Sequence, residues 1–590
     1  MNQMARHLLF SLLLLLGVSY AFAQSTTTKI APDLMLATRN GAQAECLVVF
    51  QGTAQLSELS SIHGKAAKGR TVFRKLKDLA DSRQQQVRRL LDREGHAYHS
   101  YFIVNAIYTR ADRQLLLQLA NLPEVERIQP NPWSPTRERL MNVPAGASAR
   151  TPIEWGLEKI RVPEVWAQGI NGNGVIIGGQ DTGVEWTHPT LKEKYRGWQG
   201  NQSNAQHIYN WFDAITSISP LHNDTIIAPG NNPCGLSVNF PCDDNGHGTY
   251  TMGISVGDDG QGNQIGVAPG AQWIACRNME RGYGSPATYL AGFEWFLAPT
   301  DLNGNNPRPE LAPHVINNSW GCPEFEGCTI ENWGILETAV ENLRAAGVVV
   351  VVSAGNDGPD CGSVNDPSAI FPGAFAVGAT NSTDTLARFS SRGPVQVDGS
   401  GRIKPDVVAP GVSIRSAVPN SAFSRANGTS AAGPFVVGVV ALMIEANPQL
   451  AGEVALIEQI LRETTVPAYD RYSCGGYSTA DVPNPMTGYG RIDALAAVES
   501  ARQVSPVEES FPPETVKVYP NPGNGRFRFD LETAPEDAIL EVFDATGRKV
   551  TDMPVRERSS ILDLTGKPAG LYWWRLISER KQISGKVIKR

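Results

Sequence analysis

Four short apolar runs, GVIIGGQ, VINNSW, GVVVVVSAGN and AFAVGAT, recur between residues 174 and 380 and run into Gly, Asn or Ser. They lack the alternation of a half-buried strand, so they predict strands covered on both faces. Helical stretches such as TIENWGILETAVENLRAAG lie between them. This order predicts an α/β domain with a parallel sheet over residues 151–502. In such a sheet ligands collect at the carboxyl ends of the strands, where the polar residues of these runs fall.

The pattern changes on either side. Over residues 43–131, ECLVVF, HSYFIVNAIYTRA and VERIQPN read as strands. TVFRKLKDLADSRQQQVRRLLDREG and ADRQLLLQLANLP have helical period, with Phe73, Leu76, Leu79, Val87, Leu90 and Leu91 recurring on one face. A small α+β unit with helices on one sheet face follows. From residue 515 to 590, VKVYPNP, RFRFDL, ILEVFDATGRKV, SSILDLTG, GLYWWRLIS and ISGKVIKR alternate between turn residues and predict a small β-sandwich. Alternation leaves Trp573 and Trp574 undecided between core and an exposed platform. Residues 132–150 and 503–514 are aperiodic and rich in turn residues, as linkers are.

The chain opens with Arg6, the apolar run HLLFSLLLLLGVSYAFA, and Ala21 and Ala23 before Gln24. This is the form of a cleaved secretory signal over residues 1–23; the alternative, a membrane anchor, is disfavoured because the run is short for a span. No later segment is expected to be long and apolar enough to span a membrane. A net charge of -7 with mixed signs gives no reason to expect nucleic acid as a partner. Export permits disulfides. Cys234 and Cys242 are close in sequence, as are Cys322 and Cys328, and both pairs read as loop staples rather than zinc sites. The pairing of Cys46, Cys276, Cys361 and Cys474 is open.

The stretch NGTSAAGPF surrounds Ser430 with small residues and leads into VVGVVALMI. A serine there is either a helix cap or a nucleophile at a helix start. Two further stretches bear on the choice. GGQDTGVEWTHPTL places Asp181 just beyond a strand, and DDNGHGTYTMG sets His247 between glycines. Asp, His and Ser in that order make one of the known routes to a hydrolytic triad. After the first linker the histidines are His188, His207, His222, His247 and His314, so a base for Ser430 must come from upstream. GISVG around Ser255 formally matches a nucleophile elbow, but it follows no strand, and only His314 comes after it.

DTG, NGHGT and GTSAAGP resemble the signature segments of the subtilisin-like serine peptidases, the subtilases. VSAGND, FSSRGP and KPDVVAPG agree, and WGLEKIRVPEVWAQG, YNW and the Cys-bearing insert before His247 resemble the bacillopeptidase F branch. The resemblance spans most of residues 153–500. It implies a three-layer α/β sandwich and a serine endopeptidase. Ser430 would be the nucleophile, His247 the general base and acid, Asp181 the orienting carboxylate, and Asn356 with the Ser430 N–H the oxyanion donors. Substrate would add as a strand beside Ser319, Trp320 and Gly321 on one side and Ser353, Ala354 and Gly355 on the other; Trp320 could equally be core. Ala431 and Phe435 stand where many subtilases have Met and His. Thr190 replaces an Asp that ligates calcium in the classical subtilisins. No cofactor is therefore expected, and a structural calcium is weakly supported, with DDGQGN at 258–263 offering an incomplete loop.

Residues 24–150 resemble the inhibitor-type propeptide of subtilases and its linker, with VERIQPN similar to the segment that ends such a propeptide in the cleft. This implies a self-processing zymogen whose own propeptide is an intramolecular inhibitor. YPNP, GLYWWRL and the closing GKVIKR resemble the sorting domain of the type IX secretion route, which implies passage through periplasm and outer membrane to the outside or the cell surface. The rival from another class is a catalytically silent adhesin on a protease fold.

Overall fold

The computed structural model describes residues 28–135, 141–142, 153–222, 232–322, 328–504, 509–510, 516–531, 538–544, 548–578 and 581–590. The expected leader and most of both linkers lie outside them. The chain divides into two compact units, 1–502 and 503–590.

In the larger unit the four apolar runs become four neighbouring strands of one sheet. From one edge the order is Val407–Pro410, Phe375–Thr380, Val349–Ser353, Val315–Asn318, Ile176–Asp181, Gln272–Arg277 and Trp211–Asp213, all parallel. The helices Pro286–Leu297 and Ile330–Ala345 share a core with Ile316, Val350 and Val352. Successive strand residues face opposite ways. The alternate residues Asn317 and Val351 therefore meet the helix Thr429–Ala446 on the other face, at Gly433. That helix and the helix His247–Val256 pack on each other. Covering on both faces is why Val349–Ser353 is buried at every position. Contrary to expectation, Thr429–Ala446 is long and apolar enough to cross a membrane. Its apolar window is, however, 89% buried inside the protein, as a core helix would be.

The N-terminal part of this unit is a four-stranded antiparallel sheet, ordered Tyr98–Tyr101, Ala106–Ala111, Ala44–Phe50, Val125–Pro130. Cys46, Val48, Phe50 and Ile107 face Val87, Leu91, Leu115 and Leu119 of its own helices. Leu47, Val49 and Ala106 face the other way, into the core that also holds Leu290, Phe293, Val340 and Leu343 of the large domain. The sheet is thus covered on both faces, and the large domain supplies much of the second cover. The long helical stretch divides into Lys65–Arg83 and Gln85–Glu94, with buried Gln84 at the break donating to the Tyr101 carbonyl (2.9 Å). Val125–Pro130, within VERIQPN, is an edge strand of this sheet.

Disulfides join Cys234 to Cys242, Cys322 to Cys328 and Cys361 to Cys474. Cys46 and Cys276 are buried free thiols, and burial pushes Cys46 up to about 12, far from a reactive thiolate.

The second unit is built of strands that are antiparallel apart from the short Glu509–Ser510 pairing. One sheet runs Glu509–Ser510, Lys581–Lys589, Gly570–Ser578, Ala538–Asp544, Lys549–Val555, and the other Val516–Tyr519, Arg526–Leu531, Ser559–Asp563. Trp574 is 5% exposed and meets Phe529 edge to face, while Trp573 is 49% exposed. Burial therefore places Trp574 in the core and Trp573 on the surface.

Candidate active site

Asp181 is the last residue of its strand. Its Oδ1 accepts from the Thr182 N–H (2.7 Å) and its Oδ2 from the Thr251 hydroxyl (3.4 Å). Both oxygens face Nδ1 of His247, at 2.8 and 2.9 Å. Two acceptors on one ring nitrogen fix which nitrogen carries the proton and turn Nε2 away from the carboxylate.

His247 opens its helix, and the start of that helix is set by Asp243. Oδ1 of Asp243 accepts from the N–H groups of Asn245 (3.0 Å) and Gly246 (2.7 Å) and from the Thr182 hydroxyl (2.9 Å). Oδ2 accepts from the N–H (2.9 Å) and hydroxyl (2.6 Å) of Thr249. One buried carboxylate therefore satisfies two orphan donors of the helix start, those of Gly246 and Thr249, and ties it to Thr182, the residue after Asp181, whose hydroxyl takes the Gly248 N–H (3.0 Å). The two loops touch through glycine: a Cβ on Gly248 would fall 2.0 Å from the Gly183 carbonyl oxygen.

Ser430 is the second residue of Thr429–Ala446, after the strand Ala422–Asn427. Its Oγ is buried and makes no hydrogen bond to a described residue, so the hydroxyl is not acting as a cap. Asn356 adjoins it. Oδ1 of Asn356 accepts from the N–H (2.9 Å) and hydroxyl (3.0 Å) of Thr429, which leaves the amide N–H groups as the end turned elsewhere. Pro434 lies at the sixth position of that helix. There its missing N–H strips Ser430 O of the ladder partner. The Ser319 hydroxyl donates to that carbonyl instead, at 3.4 Å, and is itself held by Asn317 Nδ2 at 3.0 Å.

A narrow pocket beside Asn356 is lined by Trp320, Gly321, Ser353, Gly355, Asp357, Asp366, Pro367 and Ala369. Ser319 and Ala354 stand outside its lining, the first bound to Ser430 O and the second donating to the Val377 carbonyl (3.0 Å). Trp320 serves both readings: it lines the pocket and stacks on Tyr289 at 3.8 Å.

Other residues fall away from this site. His314 lies at the start of the sheet, its Nδ1 accepting from Ile176 N–H (3.0 Å), and burial lowers it to about 3. His188 bridges Ala422 O (3.0 Å) and the Thr190 hydroxyl (2.9 Å). Ser255 lies inside the His247 helix, donating back to Thr251 O at 3.4 Å. The carboxylates of DDGQGN accept from N–H groups of their own loop. Among the described residues no three His, Cys, Asp or Glu side chains cluster to hold a metal.

The Subtilase family model matches residues 172–490. The chain belongs to the subtilase family. It is 35% identical to Bacillopeptidase F of Bacillus subtilis (strain 168) over 81% of this chain and 33% of that protein. It is 31% identical to Subtilisin Savinase of Lederbergia lenta over 50% of this chain and 86% of that protein, and 33% identical to the subtilisin-like protease PopC of Myxococcus xanthus (strain DK1622) over 50% and 57%. The chain thus spans a third of the length of Bacillopeptidase F. Residues 517–590 match the Secretion system C-terminal sorting domain, so this subtilase carries a type IX sorting tail that directs it out of the cell and to its surface.

Sequence reasoning missed Asp243, Thr429, Asp366 and a pair of strand contacts. Ser134–Pro135 pairs antiparallel with Tyr283–Gly284, and Met141–Asn142 with Ala426–Asn427, immediately before the Ser430 turn. Thr429 was in plain view within GTS. Asp243 too lies within DDNGHGTYTMG, four residues before His247. Asp366 and the strand contacts come from segments far apart in the chain, where spacing carries no signal.

Proposed function

We propose that this subtilase is a serine endopeptidase made as a self-processing zymogen. The observation that carries the reading is the doubly anchored Nδ1 of His247 against Asp181, on a helix packed against the one that presents an unengaged Ser430 hydroxyl. His247 Nε2 takes the Ser430 proton as Oγ attacks a peptide carbonyl, and returns it to the leaving amine. Asp181 holds the imidazole and stabilises its charged form. The oxyanion is met by Asn356 Nδ2 and the Ser430 N–H at the positive end of its helix. An acyl-enzyme on Ser430 is then hydrolysed by water. This chemistry needs no cofactor, and any calcium would be structural.

Residues 24–150 act as propeptide and linker, 151–502 as the peptidase domain, 503–514 as a second linker and 515–590 as the sorting domain. The propeptide is the first polypeptide partner. Its docked sheet face and the pairings of Ser134–Pro135 and Met141–Asn142 support a segment that covers the site until it is cut. Other polypeptides are the later substrates, and the type IX machinery handles the tail.

Intact-mass spectrometry of wild type and Ser430→Ala, with and without a fluorophosphonate probe, tests this. Wild type should lose its N-terminal segment and carry the probe on Ser430, and the variant should do neither. A variant that matures unaided and still takes the probe would place the nucleophile elsewhere. A folded wild type inert in both assays would favour the adhesin.

A further inference from the structure

The pocket beside Asn356 has a chemistry of its own. Two of its lining residues are carboxylates, Asp357 and Asp366, and no Lys or Arg among the described residues lines it. Asp366 is 8% exposed. Its Oδ2 approaches the Gly321 backbone so closely that a Cβ there would fall 2.9 Å away. Gly321 is therefore what admits the carboxylate to the pocket edge. Ser353, another lining residue, is 4% exposed, and its Oγ makes no hydrogen bond to a described residue. A buried hydroxyl without a protein partner asks for one from a ligand.

We propose that this pocket selects a cationic side chain, Lys or Arg, on the acyl side of the cut bond, with Asp366 as the residue that sets the preference. This rests on the endopeptidase reading and adds the substrate class to it. The face of Trp320 and the methyl of Ala369 suit the apolar stem of such a side chain. Asp366 receives the charged head through a charge-assisted hydrogen bond, two-pronged for arginine, and Ser353 Oγ accepts a further N–H. Asp357 adds to the negative field, which repels an acidic residue. The narrowness of the pocket disfavours broad aromatic rings.

The chain's own sequence agrees. The proposed propeptide is paired to the large domain at Ser134–Pro135 and again at Met141–Asn142. The residues between these anchors read TRERL, and two of the five are arginine, Arg137 and Arg139. A pocket that takes arginine would cut this stretch after one of them.

The test uses the protein purified from full-chain expression, with peptidyl aminomethylcoumarins that differ only in the residue before the coumarin: Arg, Lys, Leu, Phe, Ala or Glu. Arg and Lys should exceed Leu in kcat/KM by about 10–100-fold. Asp366→Asn should collapse the Arg-to-Leu ratio to within a few-fold. The matured wild type should begin at Glu138 or Leu140. A wild type that prefers Leu, Phe or Ala, or an Asp366→Asn variant that keeps the arginine preference, overturns the proposal. If the variant does not fold, the wild-type panel decides alone, with benzamidine as a competing cation expected to inhibit. Cleavage without a cationic preference overturns the pocket assignment only. No cleavage of any substrate, with no probe on Ser430, means the endopeptidase reading has failed and the pocket assignment with it.

Discussion

Asn356 and Thr429 are joined at a single atom: Oδ1 of the asparagine accepts both the threonine N–H (2.9 Å) and its hydroxyl (3.0 Å). The carbonyl end of the amide is thereby fixed by the residue that precedes Ser430, and the donor end is oriented by default. Replacing Asn356 with Ala should lower kcat by roughly 10²–10³ with little change in KM, the loss known for removal of one oxyanion donor in a subtilisin relative. Thr429→Val, which keeps the N–H bond and removes the hydroxyl, should cost far less. Steady-state kinetics of both variants on one peptide substrate check this; equal losses would mean that Asn356 acts through packing rather than as a donor.

Ser319 compensates for a proline. Because Pro434 has no N–H, Ser430 O takes its hydrogen bond from the Ser319 hydroxyl. Ser319→Ala should destabilise the protein by about 1 kcal/mol, since a buried carbonyl loses its partner. In a Pro434→Ala background the cost should shrink, because the new alanine N–H can close the ladder. A double-mutant cycle of thermal unfolding measures the coupling; strict additivity would show that the two positions do not share that carbonyl.

The long-range disulfide should matter more than the local ones. Cys361 and Cys474 are 113 residues apart in sequence, against 8 for Cys234 and Cys242. In the chain-entropy picture the long loop is worth about 4–5 kcal/mol and the short one about 2–3. Cys361→Ser with Cys474→Ser should therefore lower the denaturation midpoint more than the corresponding Cys234 and Cys242 pair. The reverse order would mean that local strain, not loop closure, sets their contributions.

Sequence pattern was most informative where a single periodicity dominates. The central strands, the Ile330–Ala345 helix and the strand-rich tail were legible because burial on both faces, helical spacing and alternation leave distinct marks. The strand Trp211–Asp213 was not, being short and without a run of its own. The second face of the N-terminal sheet was hidden for another reason: Leu47 and Val49 look like any buried strand residues, and only the fold shows that part of their cover is the large domain. At the site, residues inside the glycine-rich motifs were legible. Asp366 was not, because a pocket wall from a distant loop depends on tertiary placement, whereas Asp243 stood within DDNGHGTYTMG as an acid just ahead of a helix start and was overlooked beside His247.

Glu294 makes docking of the proposed propeptide sensitive to pH. It stands on the helix Pro286–Leu297, and its Oε2 accepts from the N–H groups of Phe102 (2.6 Å) and Ile103 (3.0 Å) in the N-terminal part. His99 lies 4.0 Å from its other oxygen. Burial raises its carboxyl to about 8, against the pull of the two N–H donors and of Lys77. Once the propeptide leaves, Glu294 meets water and returns to its ordinary range near 4.5. The docked form therefore holds more proton than the released form between those values. The contribution of Glu294 to docking is fully present below about 4.5 and is lost progressively as pH rises towards 8, by at most about tenfold per pH unit, while His99 and Lys65, both lowered by burial in the same contact, act in the opposite sense. After processing at fixed protein concentration, the lag before activity appears should shorten from pH 5 to pH 8. Glu294→Gln, uncharged throughout and of the same shape, should flatten that slope. A wild-type lag that does not vary over this range, or a Gln variant as steep as wild type, would remove Glu294 from the control of release.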